Sequence, residues 1–207
     1  MRLAEITEHL KRDDDAALFA RARAVRQEVF GLDVLLRGIV EFSSYCCKRC
    51  LYCGLRAPNT LAARYRLDRD QIYQAASLAP ELGVGTVVLQ SGDDYTYDVE
   101  TLAGLVREIK RRLDVAVTLS LGDRPITELA QLQESGADRY LLKLETTNVA
   151  LHSKNRPGER FGERLARLTS LQNLGYEVGS GVIVGLPGTS VEDLAQAVLL
   201  ALESEAS

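Results

Sequence analysis

Apolar residues recur at helical spacing through the first thirty positions: Leu3, Ile6 and Leu10, then Ala17, Leu18, Ala22, Val25 and Val29. The spacing predicts two helical pieces. Asp13-Asp14-Asp15 supplies the break and an N-cap for the second, and Gly31 is its C′ residue. The pattern then changes period. Val34 to Phe42 is a short apolar run of strand length, rich in β-branched residues. Asp68 and Gln71 have the spacing of a capping box, opening a helix that Gly83 closes, and Thr86 to Gln90 reads as a second strand. A rhythm follows: helix 98–112, strand Val115 to Ser120, helix 126–135 opened by Pro125 and stopped by Gly136, strand Arg139 to Glu145. Helix 161–174 is stopped by Gly175 and leads to strand Glu177 to Val184; Ser190 with Asp193 caps a last helix reaching about residue 204.

These are five strand–helix units, and the strands are apolar on both faces, as a parallel, helix-covered sheet requires. The class is α/β. Parallel βα repeats can close into a barrel or spread as an open doubly wound sheet. Polar and glycine-rich residues collect where each strand ends, at Cys46–Cys53, Ser91-Gly92-Asp93, Ser120 to Asp123, Glu145 to Asn148, and Gly185 to Gly188. Five strand ends around one mouth favour an incomplete TIM-type βα barrel. Residues 1–31 are then a helical extension and residues 32–207 the barrel core.

Composition adds only bounds. The chain has 207 residues, 46% apolar and 26% charged, ordinary for one globular domain. A net charge of −4 provides no basic field for nucleic acid or an anionic membrane. The Met1-Arg2-Leu3-Ala4-Glu5 start lacks the apolar core of a signal peptide, and no apolar run of about 18 residues could span a bilayer. A reducing cytoplasm is the expected compartment.

Chemistry enters with the cysteines. All 4 lie between positions 46 and 53, so no distant thiol is available to close a disulfide loop. Clustered thiolates point to metal. Cys46-x3-Cys50-x2-Cys53 offers three ligands on a short loop, while a structural zinc site takes four, usually from two well-separated knuckles. Three cysteines suit an iron–sulfur cluster that keeps one iron open. Spacing alone also permits the register Cys47-x2-Cys50-x2-Cys53, and a zinc-binding interaction module is the competing class.

Cys-x3-Cys-x-aromatic-Cys after the first strand of a βα series, with Tyr52 at the aromatic position, resembles the signature of the radical S-adenosylmethionine (SAM) superfamily. Within it, Cys50-Leu51-Tyr52-Cys53-Gly54-Leu55-Arg56, Val88-Leu89-Gln90-Ser91-Gly92, Thr118-Leu119-Ser120-Leu121-Gly122 and Val184-Gly185-Leu186-Pro187-Gly188 look like the HydE-type [FeFe]-hydrogenase maturases. Biotin synthase and methylornithine synthase are relatives in style. The resemblance implies a [4Fe–4S] cluster on Cys46, Cys50 and Cys53, with Cys47 spare. It implies reductive cleavage of SAM to a 5′-deoxyadenosyl radical. It places Tyr52 near the adenine, Ser91, Gly92 and Asp93 at the SAM amino group, Ser120 and Glu145 as polar SAM contacts, Arg164 at the SAM carboxylate, and Ile183 in a segment beside the adenine. It implies as partners a small-molecule or organometallic substrate, a ferredoxin- or flavodoxin-type electron donor and hydrogenase maturation proteins.

The chain also departs from the family. Asp93 and Asp123 stand where glutamate is usual, and Leu144 and Thr147 where histidine and alanine are expected. The family's barrel has eight units against the five read here, so a fragment of a longer protein is the simpler expectation. Outside the motifs, His9 reads as a surface histidine and His152 as a plain helix or loop residue. Lys154 and Arg156 read as a solvated basic loop rather than a substrate contact.

Overall fold

A computed structural model describes residues 2–12 and 15–203. The sheet holds five strands, all parallel, in the order β1-β2-β3-β4-β5: Gly38–Ser43, Thr86–Ser91, Ala116–Ser120, Arg139–Leu141 and Glu177–Gly179. Sequential order with parallel pairing is the winding of a βα barrel, and the sheet stays open between β1 and β5 among the described residues. The α/β class and the incomplete barrel agree with the sequence pattern.

Among the described residues eight helices accompany the strands: α1 (Leu3–Leu10), α2 (Ala16–Phe30), α3 (Arg69–Glu81), α4 (Val99–Arg112), α5 (Ile126–Glu134), α6 (Val149–Asn155), α7 (Phe161–Asn173) and α8 (Val191–Glu203). Local signals set their ends. Asp68 accepts from the Gln71 N–H at 2.9 Å while the Gln71 side chain accepts from the Asp68 N–H, also at 2.9 Å, so the capping box is closed. Ser190 and Asp193 satisfy each other's N–H groups in the same way. Asp98 caps α4 through the Thr101 N–H at 2.7 Å.

The core lies between the sheet and α3, α4, α5 and α7. Val87, Leu89, Val117 and Leu119 in the central strands pack with Ile72, Leu105, Ile109, Leu129, Leu132 and Leu171, all essentially inaccessible to solvent. Continuous burial along β2 and β3 explains their unbroken apolar runs.

Several expectations are corrected. The first strand begins at Gly38, not Val34; Val34, Leu35 and Leu36 lie outside it and are exposed. The fourth and fifth strands hold 3 residues each. Beyond them the two segments keep a single bridge, between Glu145 and Val182, and Glu145 takes a positive φ of 69°. Helix α6 was not foreseen; its seven residues carry no clear apolar period, although Asn148 caps them through the Ala150 and Leu151 N–H groups. Asp15 occupies the N-cap position of α2 without a side-chain cap bond. Asp13, Asp14 and the predicted helix end at 204 lie outside the described residues.

Candidate functional site

The C-terminal ends of the strands form one mouth. The cysteine loop leaves β1 and is tied down by backbone and side-chain bonds, not by regular structure. Arg64 reaches across it, donating to the carbonyls of Ser44, Leu55, Arg56 and Asn59. A five-donor guanidinium can satisfy several carbonyls at once, which a helix or strand would otherwise do. The Leu51 N–H donates to the Asn155 carbonyl at 2.8 Å, and the Cys47 N–H to the Asp93 carbonyl at 3.0 Å, anchoring the loop to α6 and to the end of β2. Beneath it, buried Asp94 accepts from Ser43 Oγ at 2.6 Å and from Arg66 Nε and Nη2 at 2.7 and 3.0 Å.

Two glycines permit the close approach. A Cβ on Gly92 would lie 2.3 Å from the Tyr45 carbonyl oxygen and 2.6 Å from the Cys46 Cβ. One on Gly122, where φ is +77°, would lie 2.2 Å from an Asp93 carboxylate oxygen. The ends of β2 and β3 therefore abut the loop only because these residues lack side chains.

The resulting pocket is lined by Cys46, Cys50 and Cys53 together with Tyr52, Ser91, Gly92, Asp93, Ser120, Glu145 and Arg164. Ten of the eleven residues named from the sequence thus share one cavity. Ile183 is the exception: it is half-buried and donates its N–H to the Glu145 carbonyl at 2.9 Å, behind the pocket wall. Cys47 is exposed and does not line this pocket.

Cys46 Sγ accepts from the N–H groups of Lys48 and Asp93, each at 3.4 Å, and Cys53 Sγ from that of Leu55 at 3.4 Å. Burial pushes the Cys46 and Cys50 thiols up. Holding them as thiolates then calls for a cation or metal close by. Three thiols lining one pocket match the donor set of an iron–sulfur cluster that keeps one iron open, whereas a structural zinc site takes four ligands.

A buried charge network forms the next layer. Asp123, following β3, accepts from Arg164 at 2.9 Å and lies 3.2 Å from Lys48 Nζ, 3.4 Å from Arg156 and 3.5 Å from Arg167. Burial alone would raise its pKa, but Arg164, Lys48 and Arg156 outweigh that and hold it below the usual carboxylate range. Asp93 shifts the other way: desolvation dominates and Asp123 adds repulsion, so its carboxyl is raised. Glu145 is also raised, by burial, against the opposing charges of Arg164, Lys143 and Arg156. Arg156 donates to the Tyr52 hydroxyl at 2.7 Å and to Glu159 at 2.6 Å. Lys48 pairs with Glu159 as well.

Arg156 overturns the reading of a solvated loop, being 5% exposed; Lys154 is solvated as expected. His152 lies in α6 and is fully buried, edge-on to Phe161. Lys48, Arg156 and Glu159 are the site residues that sequence reasoning missed. Their one visible signal was the density of charge in two loops that otherwise carry glycine and proline.

A sequence profile described as the Radical SAM superfamily matches residues 40–201. The chain belongs to the radical SAM superfamily. Membership implies a [4Fe–4S] cluster and SAM. The chain is 46% identical over 189 residues to the [FeFe] hydrogenase maturase subunit HydE of Thermotoga maritima, covering 91% of this chain and 54% of that protein. It is 29% identical over 177 residues to 3-methylornithine synthase of Methanosarcina acetivorans, covering 84% and 50% respectively. In structure it is similar to methylornithine synthase (PylB), with a TM-score of 0.91 at 26% identity over 99% of this chain and 62% of that one. The chain spans about half the length of the curated relatives it matches. Among the described residues no helix is long and apolar enough to cross a membrane.

Proposed function

We propose that this chain binds a [4Fe–4S] cluster through Cys46, Cys50 and Cys53 and uses it with SAM in the radical chemistry of [FeFe]-hydrogenase maturation. The observation that carries the reading is the convergence of those three thiols on one pocket, with Cys47 left outside it. When bound, the cluster supplies the electron that breaks the C5′–S bond of SAM and yields a 5′-deoxyadenosyl radical. The likeness to HydE supports the maturation role over the biotin-synthase or methylornithine-synthase type of reaction.

The residues divide the work of holding SAM. Arg164 is fixed by Asp123 and by the Lys143 carbonyl at 2.7 Å, and offers its guanidinium to the SAM carboxylate. The Asp93 carbonyl accepts one bond, from Cys47, and has a second lone pair for the SAM ammonium, beside Ser91 and Gly92. Tyr52, its hydroxyl held by Arg156, presents its ring to the adenine. Ser120 and Glu145 line the wall as polar contacts, and Ile183 acts from behind by fixing the Glu145 backbone. Glu145 pays about 1–3 kcal/mol for its left-handed backbone, a strain of the kind that collects at functional positions.

Residues 1–31 act as a helical extension to a barrel core at 32–207. The setting is cytoplasmic, the electron donor of ferredoxin or flavodoxin type, the substrate a small molecule or organometallic fragment, and hydrogenase maturation proteins the partners.

Anaerobic reconstitution tests this. It should load about four iron and four sulfide per chain, and dithionite with SAM should release 5′-deoxyadenosine. Cluster and SAM binding without cleavage would mark a binding module. Zinc without iron or sulfide would overturn the reading.

A further inference from the structure

The charge network around Asp123 joins five elements: the cysteine loop (Lys48), the ends of β2 and β3 (Asp93, Asp123), the loop after α6 (Arg156, Glu159) and α7 (Arg164, Arg167). Two features set it apart from a surface salt-bridge patch. Its members are largely buried, with Arg156 and Arg164 side chains at 6% and 8% exposure and Asp123 at 12%. It also carries an excess of cations. Lys48, Arg156, Arg164 and Arg167 face Asp93, Asp123 and Glu159.

The excess points at the thiols. Lys48 and Arg156 line the same pocket as the three thiols, and the Arg156 guanidinium grips the hydroxyl of Tyr52 at 2.7 Å, two residues along the loop from Cys50. In a low-dielectric setting such a charge is weakly screened. Adding an electron to a cluster makes it more negative, so a fixed neighbouring cation favours the reduced form and a fixed anion disfavours it.

We propose that the Lys48–Asp123–Arg156–Glu159 network is a positioning and charge-setting element, which locks the cysteine loop to the strand ends and holds the reduction potential of the cluster up. It rests on the cluster assignment above and extends it to residues that touch neither SAM nor iron. Arg156 acts through Cys50 and Tyr52, and Asp123 acts by orienting and partly neutralising Arg156, Lys48 and Arg164.

The test is an EPR-monitored redox titration of the full chain, reconstituted and checked for iron and sulfide, in four forms: wild type, Arg156→Met, Arg156→Lys and Asp123→Asn. Removing the cation should make reduction about tenfold harder, a fall of about 59 mV for a one-electron couple. Removing the anion should move the potential in the opposite direction, and Arg156→Lys should stay near wild type because the charge is kept. A merely structural role would not produce opposite signs. If Arg156→Met fails to load, Lys48→Met takes its place as the cation-removing variant, with a fall expected against the rise in Asp123→Asn. Potentials that stay together, or shift the same way in Arg156→Met and Asp123→Asn, would overturn the proposal while leaving the cluster assignment intact. A wild-type chain that loads no four-iron cluster would overturn the cluster assignment itself.

Discussion

Helix α2 and the cysteine loop sit on the N-terminal side of the same chain and are built in opposite ways. Helix α2 carries apolar residues at helical spacing and has no buried residue; Phe19, Val29 and Phe30 are 60%, 64% and 58% exposed. The cysteine loop has no regular structure, yet Ser44 and Cys50 are buried and its backbone is tied to Asp93 and Asn155. Apolar periodicity thus shaped an element that packs against little, while polar groups fixed the element that carries the chemistry. Order at this site comes from satisfied donors and acceptors, and burial alone is a poor guide to it.

The contrast breaks most severely at Gly92. Gly92→Ala forces a Cβ against the Tyr45 carbonyl, so the loop must move. A loss above about 3 kcal/mol is expected, together with loss of iron loading, read by urea unfolding and iron analysis. Arg64→Ala comes next. It leaves four loop carbonyls without their charged donor, and about 2 kcal/mol should be lost, since hydrogen bonds to charged groups run at about 1.5–3 kcal/mol and water can replace part of them. Thermal melts with and without cluster measure it.

A smaller effect tracks pH. Burial works against the Asp94 charge, but hydrogen bonds from Arg66, Ser43 and Thr96 hold its pKa down at about 2. A carboxyl lowered on folding stabilises above its unfolded value, near 3.8, and that contribution disappears as pH falls through about 2. Wild-type protein should therefore lose stability across that acid window by a step that Asp94→Asn lacks. Parallel denaturation curves of the two proteins would refute this. Smallest of all, Phe19→Ser and Val29→Ser on α2 should change stability by less than about 0.5 kcal/mol. A larger loss would mean that this face is covered in solution.

The same contrast explains what could be read in advance. Capping at Asp68, Asp98 and Ser190 was legible because both partners lie within one turn. The strands β2 and β3 were legible because central parallel strands are apolar on both faces. The ends of β4 and β5 were not, since the ladder stops at Leu141 and Gly179 while the apolar run continues past them, and pairing returns only as the Glu145–Val182 bridge. Of the pocket residues, ten of the eleven named were brought together, because strand ends must converge in a βα winding. The Arg156–Tyr52 contact joins positions 104 apart, and no local pattern announces such a pair. Burial of Arg156 needs Glu159 and Asp123 in place, so its role becomes visible only with the fold.

One measurement bears most directly on the site: iron and sulfide content, with Mössbauer or EPR spectra, of four single variants, Cys46→Ala, Cys47→Ala, Cys50→Ala and Cys53→Ala. The cluster should survive in Cys47→Ala, whose thiol lies outside the pocket, and be lost in each of the other three. A cluster that persists in Cys46→Ala and disappears in Cys47→Ala would contradict the assignment.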